Sequence, residues 1–162
     1  MKSLKELFRI GQGPSSSHTM GPRLAAERYL KRHPEAHAFR VTLYGSLAAT
    51  GEGHLTDWAI YQVLGKERTE IVWKPETILP FHPNGMMFEV HTERGSYTEA
   101  WTVYSVGGGA LVEEGKKQTE TPEVYPLDHL EDIKKWCESR GKSYWEYVED
   151  CEGPEIWEYL EE

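Results

Sequence analysis

The chain has 162 residues and a formal net charge of −9 at pH 7, and this length suits one domain with a hydrophobic core. Hydrophobic residues make up 38% of the sequence and aromatic residues 12%, which excludes a disordered tail. The acidic balance predicts no nucleic-acid partner, because phosphates are bound by clustered lysine and arginine. No apolar run approaches the ~20 residues that cross a bilayer, so no membrane partner is predicted either.

Residues near both ends of the chain indicate the cellular compartment of the protein. The N-terminal stretch MKSLKELFRIG is short and amphipathic, and it lacks the uninterrupted apolar core of a signal peptide. The cysteines Cys137 and Cys151 lie in the acidic C-terminal segment, where they are typical of reduced thiols rather than of a disulfide framework. We therefore expect a cytoplasmic protein.

The first 65 residues are predicted to contain three helices and a strand. The helices fall within residues 3–9, 22–33 and 57–65, and the strand FRVTLYGS occupies residues 39–46. Pro22 suits the first turn of its helix, and Ser16 or Ser17 offers an earlier start. TGEG is predicted to be a glycine-rich turn, followed by Thr56 as the N-cap of a helix that ends at Gly65.

Strand signals dominate residues 69–114. TEIVW, MMFEVHT, TEAWTVYSV and ALVEE carry many β-branched and aromatic residues, and Gly95 with Ser96 suits a hairpin turn. Three amphipathic helices are then predicted in DHLEDIKKWCESRG, SYWEYVED and PEIWEYLEE. The predicted fold class is α+β: a mostly antiparallel sheet with helices packed on one face, plus a C-terminal helical extension.

The segment GQGPSSSHTMGP contains the first group of candidate functional residues. A flexible leader, or a serine N-cap with solvated neighbours, is the plainer interpretation. The alternative is an anion cradle, in which hydroxyls, an imidazole and the free N–H groups of a helix start converge on a negative charge. The candidate residues are Ser15, Ser16, Ser17, His18 and Thr19.

The segment YGSLAATGEGHLTD contains a candidate general base. His54 lies three residues before Asp57, a spacing at which a carboxylate can orient an imidazole. Histidine accepts a proton near neutral pH with little tuning, because its unperturbed pKa is ~6.5. The other interpretation is a capped helix with a surface histidine.

Two further segments are candidates for ligand contact. In FHPNGM, Pro83 and Asn84-Gly85 favour a plain turn, whereas His82 and Asn84 together suit the binding of a carboxylate or amine. In YSVGGG, Gly107 and Gly108 either form a flexible connection or leave the backbone bare for a ligand. The sequence has no metal-binding motif, no G-x-S-x-G elbow and no phosphate-binding glycine loop, so we predict no metal ligand on this chain.

Taken in this order, the four segments resemble the β portion of the iron–sulfur-dependent L-serine dehydratases, or L-serine ammonia-lyases. GPSSSHTMGP, LYGSLAATGEGHLTD, HPNGM and VYSVGGG are each similar to N-terminal signatures of that family. The resemblance covers residues 4–113 and continues more loosely through YPLDHLEDIKKWCESRGKSYWEYV, which is similar to the connector of single-chain members. It implies a β-type domain at 1–122 and an acidic helical connector at 123–162.

The resemblance also implies a fold and a reaction. The fold would be similar to the allosteric substrate-binding domain of some phosphoglycerate dehydrogenases. The reaction would eliminate water from L-serine: a base removes the Cα proton, the β-hydroxyl leaves on one iron of a [4Fe–4S] cluster, and the aminoacrylate hydrolyses to pyruvate and ammonia. His54 would be the base or its partner, together with His18 and Asp57. The serine-rich segment would complete the pocket, and His82 with Asn84 would form a second, catalytic or regulatory, contact.

The chain departs from the family in its cysteines. A cubane cluster needs three or four thiolates, and only two cysteines are present. We therefore expect the cluster on an α portion or α subunit, as the partner without which this chain is inactive; a homodimer also stays open. Two other hypotheses remain: a non-catalytic amino-acid or anion-binding regulatory module, and an assembly module that docks through its Trp- and Tyr-rich helices.

Overall fold

A computed structural model of the chain describes residues 1–91, 97–116 and 122–162. The chain forms two compact units. One is Gly11–Gln118, and the other combines Met1–Ile10 with Thr119–Glu162. The predicted boundary between a domain at 1–122 and a connector at 123–162 concerns the family's organisation and stays a prediction.

The unit Gly11–Gln118 contains a five-stranded sheet. Its strands are β1 (Phe39–Tyr44), β2 (Thr69–Lys74), β3 (Gly85–His91), β4 (Tyr97–Gly107) and β5 (Ala110–Glu113), in the order β2-β1-β3-β4-β5. The β1–β2 pair is parallel and the other three pairs are antiparallel. The predicted α+β class with a mostly antiparallel sheet is confirmed. The predicted hairpin turn at Gly95 and Ser96 lies outside the described residues.

Three helices belong to the same unit. They are α1 (Gly21–Arg32), α2 (Gly45–Thr50) and α3 (Thr56–Leu64), and shorter helical turns lie at Ser16–Met20, Glu52–His54 and Lys66–Arg68. Pro22 stands in the first turn of α1, and Gly65 ends α3, both as predicted. Helix α2 was not predicted, because six residues are too few to show a helical period. It includes Gly45 and Ser46, the last residues of the strand predicted at 39–46, and Thr50 of the predicted TGEG turn.

The core lies between the sheet and helices α1 and α3. Phe39, Val41 and Leu43 alternate along β1, so their side chains share one face of the strand, and all three are fully buried. Tyr29 of α1 packs on this face, with its ring centroid 5.4 Å from that of Phe88. The period-two pattern of the strands and the apolar stripe of α1 therefore meet in one core.

The second unit has a small core of its own. Tyr125, Cys137 and Tyr147 are buried there. The unit contains three α-helices, α4 (Leu130–Arg140), α5 (Tyr144–Glu152) and α6 (Ile156–Glu161), and Cys137 belongs to α4 and Tyr147 to α5. Ser143 and Glu146 form a reciprocal capping box at the start of α5. The three predicted C-terminal helices are confirmed. Within the described part of the chain, no helix is long and apolar enough to span a bilayer.

A partly buried carboxylate ties α1 to the far edge of the sheet. Glu113 of β5 accepts hydrogen bonds from the Trp101 indole at 3.0 Å and from the Arg32 guanidinium at 2.8 Å, and Lys116 lies 2.7 Å away. Burial alone would raise the pKa of this carboxyl. The hydrogen bonds from Lys116, Trp101 and Arg32 outweigh that effect and lower the pKa to about 2.

We expect Glu113→Gln to lower the free energy of unfolding by about 1.5–3 kcal/mol at pH 7, the usual worth of hydrogen bonds to a charged group. Because the folded-state pKa is lowered, this contribution is present above the ordinary glutamate pKa and is lost as pH falls towards about 2. Urea unfolding at pH 7 and pH 3 measures the difference. Glu70→Gln, which removes a more exposed partner of Arg40, should cost much less; equal losses would contradict the assignment.

Candidate active site

The serine-rich segment begins the first long helix and is not a free leader. Ser15 has extended backbone (φ −131, ψ 131), and its hydroxyl accepts a hydrogen bond from the His18 N–H at 3.1 Å. Residues Ser16–Met20 then form a π-helical turn that runs directly into α1. Ser16 is exposed and Ser17 is half-buried. The segment therefore presents two serine hydroxyls and one imidazole from a fixed backbone.

His54 lies at the end of the short helical turn after α2. Its Nδ1 is 2.9 Å from the carbonyl oxygen of Thr50. Because a carbonyl oxygen can only accept, Nδ1 must carry the hydrogen, and the neutral ring then has its free lone pair on Nε2. The sequence predicted Asp57 as the group that orients this ring. The backbone of Thr50 does so instead.

The residue after His54 adopts an unusual conformation. Leu55 has φ 57 and ψ 34, in the left-handed region, which costs a non-glycine residue roughly 1–2 kcal/mol. Backbone of this kind occurs preferentially at functional sites. Leu55 also holds the N-cap position of α3, so the prediction that Thr56 caps this helix is wrong.

The rings of the two histidines lie against each other at a tilt. Their ring centroids are 4.8 Å apart with an interplanar angle of 37°, and His18 Nε2 lies 3.1 Å from the Ser46 hydroxyl. Burial and the charge of His54 lower the pKa of His18, while a hydrogen bond with the backbone of Ser46 acts in the opposite direction. The site therefore holds one imidazole that favours the neutral form beside a second that has a free nitrogen.

Thr19 does not serve as the ligand contact that the sequence predicted. It is fully buried. Its hydroxyl donates to the His54 carbonyl at 2.7 Å and accepts from the Ser15 N–H at 3.1 Å. Because both roles of the hydroxyl are satisfied within the protein, no capacity remains for an anion.

The loop that contains His82 and Asn84 supports the site from one side. The Asn84 N–H donates to His82 Nδ1 at 3.1 Å, and the Asn84 side-chain amide donates to the Ser105 carbonyl at 3.2 Å. The Pro83 carbonyl accepts from the Ser46 N–H at 3.1 Å. These hydrogen bonds hold the loop on β4 and on the start of α2. They leave His82 Nε2 as the nitrogen of this loop available for a ligand.

The triple glycine forms the turn between β4 and β5. Gly107, Gly108 and Gly109 have φ of 105°, 55° and 73°, a run of positive values that side chains rarely adopt. The backbone conformation of this turn is therefore enough to explain the three glycines. A Cβ on Gly107 would have no atom within 4 Å, so the space beside it is open.

Two residues of this region were missed by sequence reasoning. Ser46 contacts His18, and Gly21 packs so closely on β4 that a Cβ there would lie 2.3 Å from the Ser105 hydroxyl oxygen. Ser46 stands within the YGS segment and Gly21 within MGP, so both lay inside recognised motifs. Neither position has a local pattern that predicts a partner far away in the sequence.

A polar concavity lies beside His54. Its volume is ≈ 660 Å³. It is lined by Ala48, Ala49, Thr50, Glu52, Gly53, His54 and Trp73. This is large enough for a small-molecule ligand, and the lining combines a carboxylate, a hydroxyl and an imidazole with an indole.

The described residues do not form a metal site. Within 1–91, 97–116 and 122–162, no group of three or more His, Cys, Asp or Glu side chains is arranged to hold a metal ion. Both cysteines are free thiols of the other compact unit. Burial raises the pKa of Cys151, which disfavours the thiolate that metals require.

An α+β domain with paired imidazoles beside a polar concavity is suited to an enzyme that moves protons. Comparison with known proteins defines the family. The family model described as serine dehydratase beta chain matches residues 3–70 and 62–116. The chain belongs to the serine dehydratase β-chain family.

Curated relatives agree with this membership. The L-serine dehydratase of Haemophilus influenzae is 31% identical, in an alignment that covers 87% of this chain and 41% of that protein. The L-serine dehydratase of Mycobacterium bovis is 38% identical over 69% of this chain and 33% of its own length. The L-serine dehydratase TdcG of Escherichia coli is 30% identical over 88% and 41%. The chain thus spans less than half the length of these relatives.

The electrostatic coupling of the two histidines predicts different effects of two substitutions. His54→Gln removes a charge that lowers the pKa of His18, so that pKa should rise towards its ordinary value. Ser46→Ala keeps the backbone hydrogen bond that raises the pKa of His18, so in this variant that pKa should change little. NMR titration of the imidazole signals measures both changes, with His129→Gln as the control at an exposed histidine. An unchanged pKa of His18 in His54→Gln would contradict the coupling.

Proposed function

We propose that this chain is the β portion of an iron–sulfur L-serine dehydratase, which converts L-serine to pyruvate and ammonia together with a cluster-bearing α portion. The observation that carries the proposal is the pairing of His18 and His54, at 4.8 Å between ring centroids, in a chain of the serine dehydratase β-chain family. The names of the relatives support L-serine as the substrate.

In this proposal His54 handles the proton. Elimination of water from serine requires that a base take the Cα proton while the β-hydroxyl leaves. The hydrogen bond from Nδ1 to the Thr50 carbonyl fixes the tautomer of His54 and leaves Nε2 as the acceptor. His18, whose pKa is lowered by burial and by the charge of His54, stays neutral and polar beside it. The hydrogen bond at Nδ1 goes to Thr50 and not to Asp57, and Asp57 stays a predicted catalytic residue.

Substrate contacts are proposed at the surface around the histidine pair. Ser15 caps its own turn through its hydroxyl, whereas the hydroxyls of Ser16 and Ser17 have no role in that cap and suit a carboxylate. The open space beside Gly107 lets a ligand approach the backbone closely, and Gly108 continues the same turn. His82 is proposed as a further contact, with Asn84 as the residue that holds its loop on β4.

The [4Fe–4S] cluster does not fit the residues of this chain that the structure describes. Three or four convergent thiolates are needed, whereas the only cysteines are Cys137 and Cys151. Cys137 packs in the core of its own unit, with its thiol 3.6 Å from the Ser143 carbonyl. We therefore assign the cluster to the α portion. We also propose that the enzyme acts in the cytoplasm, where thiols stay reduced.

A second candidate function is a regulatory module that binds an amino acid or an anion without chemistry. The shortage of thiols favours it, since a sensor needs no cluster. The histidine pair favours the enzyme, because removal of a proton from the substrate requires an acceptor nitrogen held in a fixed place. Turnover of serine in the presence of an α portion distinguishes the two functions.

We expect the purified chain alone to bind no iron and to release no pyruvate from L-serine. Anaerobic reconstitution with iron and sulfide, followed by absorbance and pyruvate assays, measures both. Co-production with a cysteine-bearing α chain should restore turnover. The broad absorbance of a [4Fe–4S] centre on the isolated chain, with pyruvate formation, would overturn the assignment of the cluster to another polypeptide.

In the assembled enzyme, His54→Ala should lower kcat by about 10²–10⁴-fold, the usual contribution of a general base. Its thermal stability should change little, because the ring of His54 is only half-buried. His129→Ala, at an exposed histidine of the other unit, is the control and should keep normal turnover. A near-normal kcat in His54→Ala would move the role to His18.

A further inference from the structure

Two buried threonines join the segments that carry the histidines. Thr19 follows His18 directly and donates its hydroxyl to the carbonyl of His54 at 2.7 Å. Thr56 lies two residues after His54 and donates its hydroxyl to the carbonyl of His18 at 2.5 Å. Each threonine thus fixes the backbone of the histidine on the opposite segment. Both side chains are fully buried.

Each histidine is consequently held at two points. The ring of His54 is bonded to the Thr50 carbonyl, and its backbone to Thr19. The ring of His18 is in contact with Ser46, and its backbone is bonded to Thr56. The two bonds cross between a π-helical turn and a segment with a left-handed residue. The backbone hydrogen bonds of these turns, such as those from the Thr19 N–H to the Ser15 carbonyl and from the His54 N–H to the Gly51 carbonyl, lie within each segment.

The crossed bonds oppose a repulsion. Two imidazoles 4.8 Å apart repel each other whenever both carry a proton, and the segments would separate unless other contacts held them. Packing alone does not specify the distance between two surface rings. A pair of buried hydroxyl–carbonyl bonds does, because a carbonyl left unpaired in the interior is unfavourable.

We propose that Thr19 and Thr56 are positioning residues that hold the imidazoles of His18 and His54 against each other. They touch no substrate and act only through the two histidine backbones. The catalytic meaning of this arrangement rests on the proposed function, but the arrangement itself is testable without substrate, cluster or partner.

The first experiment uses the full chain with isotope-labelled histidine. The wild-type protein should show a nuclear Overhauser effect between the rings of His18 and His54. Thr19→Val and Thr56→Val keep the branched shape and remove the hydroxyl, and each should weaken or abolish that signal. Thr69→Val is the matched control, since Thr69 is also buried and donates to a backbone carbonyl, that of Gly65 at 2.8 Å. The control should keep the ring-to-ring signal.

Serine and alanine variants keep the test decisive if a valine variant does not fold. Thr19→Ser and Thr19→Ala both lose the methyl group, and only serine keeps the hydroxyl. The serine variant should retain the ring-to-ring signal and the alanine variant should lose it. An unchanged signal in folded valine or alanine variants would overturn the proposal.

The second experiment separates this inference from the proposed function. In the assembled enzyme, the valine variants should lower kcat by about 10²-fold, the scale of a misplaced catalytic group, with a smaller change in KM and with recovery in the serine variants. If the valine variants lose the ring-to-ring signal but the wild-type enzyme never turns over serine, the positioning role of the two threonines is supported and the proposed function is refuted. Full activity in folded Thr19→Val would refute the positioning role of the threonines and would leave the proposed function supported.

Discussion

The arrangement of the site depends on hydrogen bonds between side-chain hydroxyls and backbone carbonyls that are closed off from water. Removing one partner of such a bond costs about 1–3 kcal/mol, because the group that remains is buried and unsatisfied. Residues 15–20 and 51–56 have backbone hydrogen bonds within each segment, and the hydroxyls of Thr19 and Thr56 bond each segment to the other. A pair of half-buried imidazoles is then carried on two fixed backbones.

The sheet explains why segments distant in the sequence converge on this place. In the antiparallel register, the end of β1 lies opposite the start of β3, with Leu43 beside Met86, and the start of β3 lies opposite the end of β4, with Gly85 beside Tyr104. The YGS, HPNG and YSVGGG motifs therefore meet at one end of these three strands. Gly21 brings the serine-rich segment to the same end, because the absence of a side chain lets it approach Ser105.

The regular part of the fold could be predicted from the sequence, since alternation and amphipathic periods reflect burial directly. Pro22 at the start of α1, the strand at 39–44 and the end of α3 at Gly65 follow from such local rules. The details of the site could not. A left-handed Leu55 contradicts local propensity, and the partner of the His54 ring is a backbone carbonyl, which no side-chain spacing can indicate.

The threonines illustrate the same limit more sharply. In the sequence, Thr19 is one hydroxyl in a polar run and Thr56 stands where a helix cap is common, so both had plausible local functions. Their actual partners are 35 and 38 residues away. A threonine hydroxyl can cap a helix, bind a ligand or donate to a distant carbonyl. Its partner is known only once the fold shows which of these groups lies beside it.

The charge state of the histidine pair follows from its geometry. Two cations 4.8 Å apart repel by about 1–3 kcal/mol between bulk water and a typical near-surface dielectric, so the pair accepts a first proton far more readily than a second. Burial and the charge of His54 lower the pKa of His18, so the ring of His18 favours the neutral form. The Nδ1 of His54 carries a hydrogen towards Thr50, so a proton can reach the ring of His54 only at Nε2. The geometry therefore leaves His54 a single nitrogen for proton exchange, beside a neighbour that favours the neutral form.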